Sequence, residues 1–332
     1  MQCPRLDELP APPPGKRGWP WTEESQQWTA VRQDGSPWPT ISVITPSYNK
    51  GPFIEETIRS VLLQGYPDVE YLFLDGGSTD QTIAILHKYT TWFSYWVSEP
   101  DRGQSHAFNK GLSKATGSIV FWLNADDICY PNAFHIGAQA FQHPSRPRLV
   151  IGAHHRINEA SEVIDVEYPN FTSWAEYALR RCIIRQDATF FDRELFRELG
   201  GLDETLHYTM DRDLFLRVTR HYPPLLLDQV VSAFREYSGR KIYGGLLRGL
   251  LETDTLAIKH LQGTRWRDEY IREYLRKRLQ DYRLTLREKL VIFVRLIRYK
   301  PSVIFHQGIT ALLVLQMKER IMHRLGNHQR GS

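Results

Sequence analysis

Two carboxylates stand side by side, Asp126 and Asp127, directly after a wholly apolar stretch from Ile119 to Leu123. Such a stretch reads as a buried strand, and adjacent carboxylates at its end repel each other unless a counter-charge neutralises them. A divalent cation would do so, and a hard oxygen site suits Mg²⁺ or Mn²⁺ shared with a diphosphate. The competing reading is a solvated loop with both side chains in water. A second acidic group, Met210-Asp211-Arg212-Asp213, opens a periodic segment further along. Acids in a first helical turn favour the macrodipole, which is a sufficient structural reason for them. A carboxylate there that faces a ligand can also serve as a general base.

Three smaller groups accompany these. Thr45-Pro46-Ser47-Tyr48-Asn49 ends an apolar run; Thr45 and Pro46 would present backbone groups at a sheet edge, and Tyr48 would stack on a flat base. Asp75-Gly76-Gly77-Ser78 ends another run, and paired glycines let backbone approach a ligand closely. Ser78 with Gln81 also fits a capping box for a following helix. Arg102, in Glu99-Pro100-Asp101-Arg102-Gly103, is suited to a phosphate because guanidinium matches its oxygens in a fork. Each of the three is also explained by ordinary turn chemistry.

The elements that must position these residues alternate. Strands are expected at Ile41–Thr45, Tyr71–Leu74, Trp92–Val97 and Ser118–Leu123, with helices at Pro52–Leu63, after Gly76-Gly77 through Tyr89, and at Ser105–Ala115. That pattern predicts an α/β fold, a mostly parallel sheet with helices on both faces. Ligands in such sheets sit at the carboxyl ends of the strands, where the polar groups gather. Further on, Leu149–Ile151 reads as a strand, and Ser173–Arg181, Arg193–Leu199 and Asp211–His221 read as helices.

The order and spacing of Ser42-Val-Ile-Thr-Pro-Ser-Tyr-Asn49, Leu74-Asp-Gly-Gly-Ser-Thr-Asp80, Asn109-Lys-Gly111, Asn124-Ala-Asp-Asp127 and Gly201-Leu-Asp-Glu204 with Met210-Asp211 resemble family 2 glycosyltransferases of the GT-A fold. The likeness spans residues 40–235. It implies an inverting, hexosyltransferase-like enzyme that uses a nucleotide diphosphate sugar. By it Asp127 would bind the metal, and Asp126 would sit against the ribose or assist the metal. Asp75 would lie near the base, Arg102 near the diphosphate, and Asp211 would be the catalytic base. Two departures stand out: Gly76 where many members carry a second acid, and Met210 where an acid often precedes the base, which leaves Asp213 as a rival to Asp211.

Outside that span, residues 1–39 are proline-rich and read as an irregular leader packed on the core through its tryptophans. Residues 236–332 read as a helical, basic extension. From Arg240 onward there are 20 Lys or Arg against 8 Asp or Glu, whereas the whole chain of 332 residues carries a net charge of only +4, too little to argue for nucleic acid. Leu290–Lys300 and Ile309–Leu315 mix apolar residues and cations, as in a helix lying on an anionic membrane; a helix pair packed on the core and a homodimer contact are the alternatives. Three scattered cysteines give no disulfide framework, which with the absence of an apolar leader or span predicts a cytoplasmic protein, peripheral on the inner face of the membrane. The expected partners are the sugar nucleotide, a glycan or lipid-linked acceptor and a role in surface polysaccharide or glycolipid synthesis. A sugar-nucleotide pyrophosphorylase would need a Gly-rich loop after the first strand, which Pro46-Ser-Tyr-Asn49 is not. A non-catalytic nucleotide- or glycan-binding protein on the same scaffold is the remaining alternative.

Overall fold

Ile41, Val43 and Ile44 lose all contact with water in the first strand, β1 (Ile41–Ser47), which is buried on both faces as only a central strand can be. The structure is a computed structural model and describes residues 1–299. In chain order β1 is followed by α1 (Ile54–Leu62), β2 (Val69–Asp75), α2 (Thr82–Tyr89), β3 (Tyr95–Ser98), α3 (Gln104–Lys114) and β4 (Ile119–Trp122). β3, β2, β1 and β4 lie side by side in that order, all parallel. Helix α1 buries Ile54, Ile58, Val61 and Leu62, the stripe its periodicity predicts.

The chain then departs from simple alternation. β5 (Ile128–Cys129), α4 (Ala133–Ala140), β6 (Leu149–Ile157), β7 (Val163–Glu167), α5 (Trp174–Ala178), β8 (Thr189–Asp192), α6 (Glu194–Leu199), α7 (Met210–Thr219) and β9 (Leu225–Arg235) follow, then a helical turn, α8 (Lys241–Gly244). β8 inserts antiparallel between β4 and β6, β9 runs parallel to β6, and β7 and β5 pair antiparallel at β6 and β9. The sheet is therefore parallel where the first four strands meet and mixed beyond β4.

Three local expectations change. The strand expected from Trp92 starts at Tyr95, because Thr90–Trp92 forms a turn of 3₁₀ helix. No Ser78–Gln81 capping box forms: Ser78 Oγ donates to Asp75 Oδ1 at 2.5 Å, and Asp80 Oδ1 instead accepts the Thr82 N–H at 3.0 Å. The helix expected over Ser173–Arg181 shortens to α5, with Ser173 as its side-chain cap.

The proline-rich segment lends its carbonyls to a buried cation. Arg59 of α1 is fully buried and donates to Pro10 O at 2.8 Å, Pro20 O at 3.0 Å and Trp21 O at 3.0 Å. The chain divides into two compact units, the first ending at Gly244 and the second beginning at Gly245. The second contains α9 (Leu246–His260), α10 (Trp266–Gln280) and α11 (Leu286–Tyr299). Its interior holds Asp254, which accepts from Tyr270 Oη at 2.8 Å and Arg278 Nη2 at 3.1 Å. The Ile309–Leu315 run falls outside the described residues. Among the described residues no helix is long and apolar enough to cross a membrane.

Candidate active site

A cleft of about 550 Å³ opens at the carboxyl ends of the parallel strands. Pro46, Ser47, Tyr48 and Lys50 line it from the end of β1, and Asn124, Ala125 and Asp126 from the end of β4. Arg185 and Gln186 precede β8, Met210 and Asp211 open α7, and Arg240 and Lys241 follow β9. Residues far apart in sequence thus share one concavity because the strands and helices beside them begin or end there.

The two adjacent carboxylates face different surroundings. Asp126 is on the cleft wall, and its Oδ2 accepts from Lys50 Nζ at 2.8 Å and from Tyr237 Oη at 2.8 Å. Burial pushes its carboxyl up, but Lys50 and Arg240 more than offset this and hold it below the ordinary carboxylate range. Asp127 is fully buried and does not line the cleft. Its Oδ1 accepts the Arg235 backbone N–H at 3.0 Å, and its Oδ2 accepts from Asn124 Nδ2 at 3.1 Å. Burial, then the charge of Asp126, push the Asp127 carboxyl well above its usual range. Asp126 therefore presents its carboxylate to the cleft, and Asp127 lies directly behind it. The repulsion between the pair is relieved by protein cations: Lys50 at Asp126, and Arg240 Nη1 at 3.7 Å from Asp127 Oδ1.

Asn124 ties this strand end to both sides of the cleft. Its Oδ1 accepts from Gln104 Nε2 at 2.6 Å, and its Nδ2 donates to Gln186 Oε1 at 2.9 Å. Gln186 in turn donates to the Trp122 carbonyl. Behind Arg185 and Gln186 lies a buried ion network. His154 Nδ1 is 2.8 Å from Asp187 Oδ2, its Nε2 is 3.2 Å from Glu167 Oε2, and Glu167 accepts from Arg185 Nε at 2.7 Å. Both nitrogens of His154 thus face carboxylates, and one of these holds a cleft-lining guanidinium.

Asp211 and Asp213 separate cleanly. Asp211 lines the cleft and accepts the Arg212 N–H at 2.7 Å, and burial raises its carboxyl above the usual value. Asp213 is turned into the protein, paired with Arg217 Nε at 2.7 Å one helical turn on. A cleft-facing carboxylate with a raised pKa has the properties of a general base.

The sequence profile of Glycosyl transferase family 2 matches residues 42–200. Residues 42–200 carry a glycosyltransferase family 2 domain. An uncharacterised glycosyltransferase of Mycobacterium tuberculosis is 28% identical over 198 residues, covering 59% of this chain and 75% of that protein. One from Rickettsia typhi is 29% identical over 243 residues, covering 67% of this chain and 76% of its own. Residues 1–349 of S. aureus TarS, solved in complex with UDP-GlcNAc, superpose with a TM-score of 0.61 at 16% identity, covering 82% of this chain and 84% of that one. The shared architecture is the GT-A fold.

Within this glycosyltransferase the expected site residues divide. Pro46, Tyr48, Asp126 and Asp211 line the cleft. Thr45 does not; it is buried, with its hydroxyl 3.4 Å from Tyr71 Oη. Asp75 accepts from the Gly77 and Ser78 N–H groups of its own turn and from Ser98 Oγ, at the end of β3, at 2.6 Å. Arg102 lies on the surface, paired with Glu204 at 2.6 Å, while its neighbours Asp101 and Gly103 reach the cleft. Asn109-Lys110-Gly111 is a packing motif: Asn109 Nδ2 donates to Leu202 O at 2.9 Å, and a Cβ on Gly111 would meet Leu74 Cδ2 at 2.6 Å. Lys50, Arg185, Gln186, Tyr237 and Arg240 of the glycosyltransferase were not singled out from sequence. Only Lys50, directly after a motif, stood near a signal that points to it.

Proposed function

We propose that the enzyme transfers a sugar from a nucleotide diphosphate sugar to an acceptor hydroxyl with inversion at the anomeric carbon, in building a surface polysaccharide or glycolipid. The observation that carries this is the convergence of Asp126 and Asp211 on one cleft lined also by Lys50, Arg240 and Lys241. TarS, of the same fold, holds UDP-GlcNAc, which supports a sugar nucleotide as the donor class.

The chain's own residues divide the work. Tyr48, 59% exposed at the end of β1, offers a ring on which a base can stack. Lys50, Arg240 and Lys241 are cations that stabilise charge on the departing diphosphate. Asp211 takes the proton from the acceptor hydroxyl as its oxygen bonds to the anomeric carbon; the bond from that carbon to the diphosphate oxygen breaks on the opposite face. Holding donor and acceptor in line supplies much of the remaining rate.

The residues present fit a divalent cation of the Mg²⁺ or Mn²⁺ type. Such ions are commonly held by one or two carboxylates plus substrate phosphates, and Asp126 is an ionised carboxylate on the cleft wall. Among the described residues no cluster of three or more His, Cys, Asp or Glu could hold a metal, so donor oxygens would complete the shell. Bound there, the ion would supply Lewis-acid stabilisation of the diphosphate.

The test is calorimetric binding of UDP, GDP, dTDP and CDP, with and without Mn²⁺, to the wild type and to Asp126→Ala. Metal-dependent binding of one nucleotide, lost in the variant, is the expected result. Absence of binding under every condition would overturn the donor site and favour the non-catalytic reading.

A further inference from the structure

Helix α11 presents a face whose composition no internal packing explains. Among its described side chains the exposed ones are Arg287, Leu290, Val291, Val294, Arg295 and Arg298, and at 3.6 residues per turn these six fall within an arc of about 140°. Leu290, Val291 and Val294 are 53%, 45% and 48% exposed, large values for aliphatic side chains brought so close together. The opposite side is conventional, with Ile292 fully buried and the stem of Lys289 buried as well.

Charge on the exposed arc is of one sign. Arg287, Arg295 and Arg298 make no ion pair or hydrogen bond among the described residues. The helix's sole acid, Glu288, is tied to its start, where Oε2 accepts the Thr285 N–H at 2.7 Å and the Thr285 hydroxyl at 2.7 Å. Along the helix the aliphatic residues therefore occupy the middle turns, with Arg287 before them and Arg295 and Arg298 after them, and no carboxylate lies on the arc.

We propose that this face of α11 docks on an anionic lipid bilayer, with the aliphatic residues entering the headgroup boundary and the arginines pairing with lipid phosphates. Charge complementarity selects this occupant. A second copy of the chain would set three unpaired arginines against three more, and a single-stranded nucleic acid would call for aromatic stacking platforms that the arc lacks. Arginine stems lie along apolar surface while their heads reach the phosphates, which lets both residue types share one arc. A transferase held in this way works on an acceptor carried at the membrane. The docking itself does not depend on the donor assignment.

Flotation of the full chain with phosphatidylcholine vesicles, with and without phosphatidylglycerol, tests this. Wild type is expected to float with the anionic vesicles and not with the neutral ones, and to be released by added salt. Arg287→Gln/Arg295→Gln/Arg298→Gln should lower partitioning roughly a hundredfold, at about fivefold per arginine. Val291→Asn/Val294→Asn, at exposed positions that keep the fold, should lower it as well; circular dichroism checks that helix content is unchanged. No flotation of the wild type, or equal flotation of all three proteins, overturns the proposal. A wild-type dimer in light scattering that becomes a monomer in the valine variant overturns it in favour of a second copy. Nucleotide calorimetry on the same proteins separates failure here from failure of the donor site.

Discussion

Lys50 Nζ lies 2.8 Å from Asp126 Oδ2, an ion pair between residues 76 apart in sequence that closes one wall of the cleft. Lys50 follows β1 and Asp126 follows β4, and these strands are direct parallel neighbours, so the pair is a product of the sheet order. The same lysine also donates to Tyr237 beyond β9. Removing the cation leaves Asp126 buried against Tyr237 with its main counter-charge gone. Lys50→Met is therefore expected to weaken binding of the nucleotide diphosphate at least tenfold, or about 1.4 kcal/mol. Calorimetry gives the dissociation constant directly, and an unchanged value would remove Lys50 from the donor site.

Asp211 and Asp213 give a paired test within one helical turn. Asp211→Asn should lower kcat by about 10² to 10⁴ while the nucleotide dissociation constant stays put, because the base acts on the acceptor. Asp213→Asn should leave kcat within a few-fold and act on stability, since it breaks the Arg217 pair. Steady-state kinetics on both variants decides which carboxylate is the base; equal loss of turnover and donor affinity in Asp211→Asn would sink its assignment.

Burial raises the Asp211 carboxyl above the usual aspartate value of 3.8, and a base works only when deprotonated. Activity should therefore fall on the acid side through this raised pKa, at a higher pH than an exposed aspartate would give. A profile of kcat/KM against pH, with a Tm at each point to exclude unfolding, checks it. An acid limb at the ordinary aspartate value would contradict the buried setting.

His154 links pH to stability. Burial alone would lower its pKa, but Asp187 and Glu167 more than offset this and raise it above 6.5. For a group raised on folding, the stabilisation is fully present below the unfolded value and is lost as pH rises through the folded one. His154→Gln should therefore lower Tm most near pH 6 and least near pH 9. Thermal melts of both proteins across that window measure the difference. A gap that does not shrink with pH would mean the ring acts through packing alone.

In the second unit, Asp254 holds Tyr270 and Arg278 in a buried cluster. Asp254→Ala would leave the Arg278 guanidinium buried without its counter-ion, a loss of about 3–5 kcal/mol. Arg278→Met in the same background should recover much of it. Urea unfolding of the single and double variants reads this out; a single-variant cost near zero would show that water reaches the cluster.

The sequence by itself determined the parallel half of the sheet and the places where its strands end in polar residues. Ile41, Val43, Ile44 and the run from Ile119 to Leu123 announce buried strands through local composition, and one helix stripe is enough to place α1. The short strands beyond β4 were less legible. Thr189–Asp192 becomes β8 through its pairing with β4 and β6, and four residues carry too few repeats to show a period.

Which side chains meet was decided by tertiary structure alone. Asp126 and Asp127 are chemically identical neighbours, yet a strand end sends one to the cleft and the other to the Arg235 N–H. Asp75 and Arg102 have the chemistry of ligand residues but find partners at hand, in the Ser78 turn and in Glu204. Lys50, Arg185 and Arg240 reach the cleft because the separate segments that carry them begin or end at the same edge of the sheet. Sequence determines where a carboxylate sits along the chain; its charge and its orientation follow from burial and from counter-ions that only folding brings near.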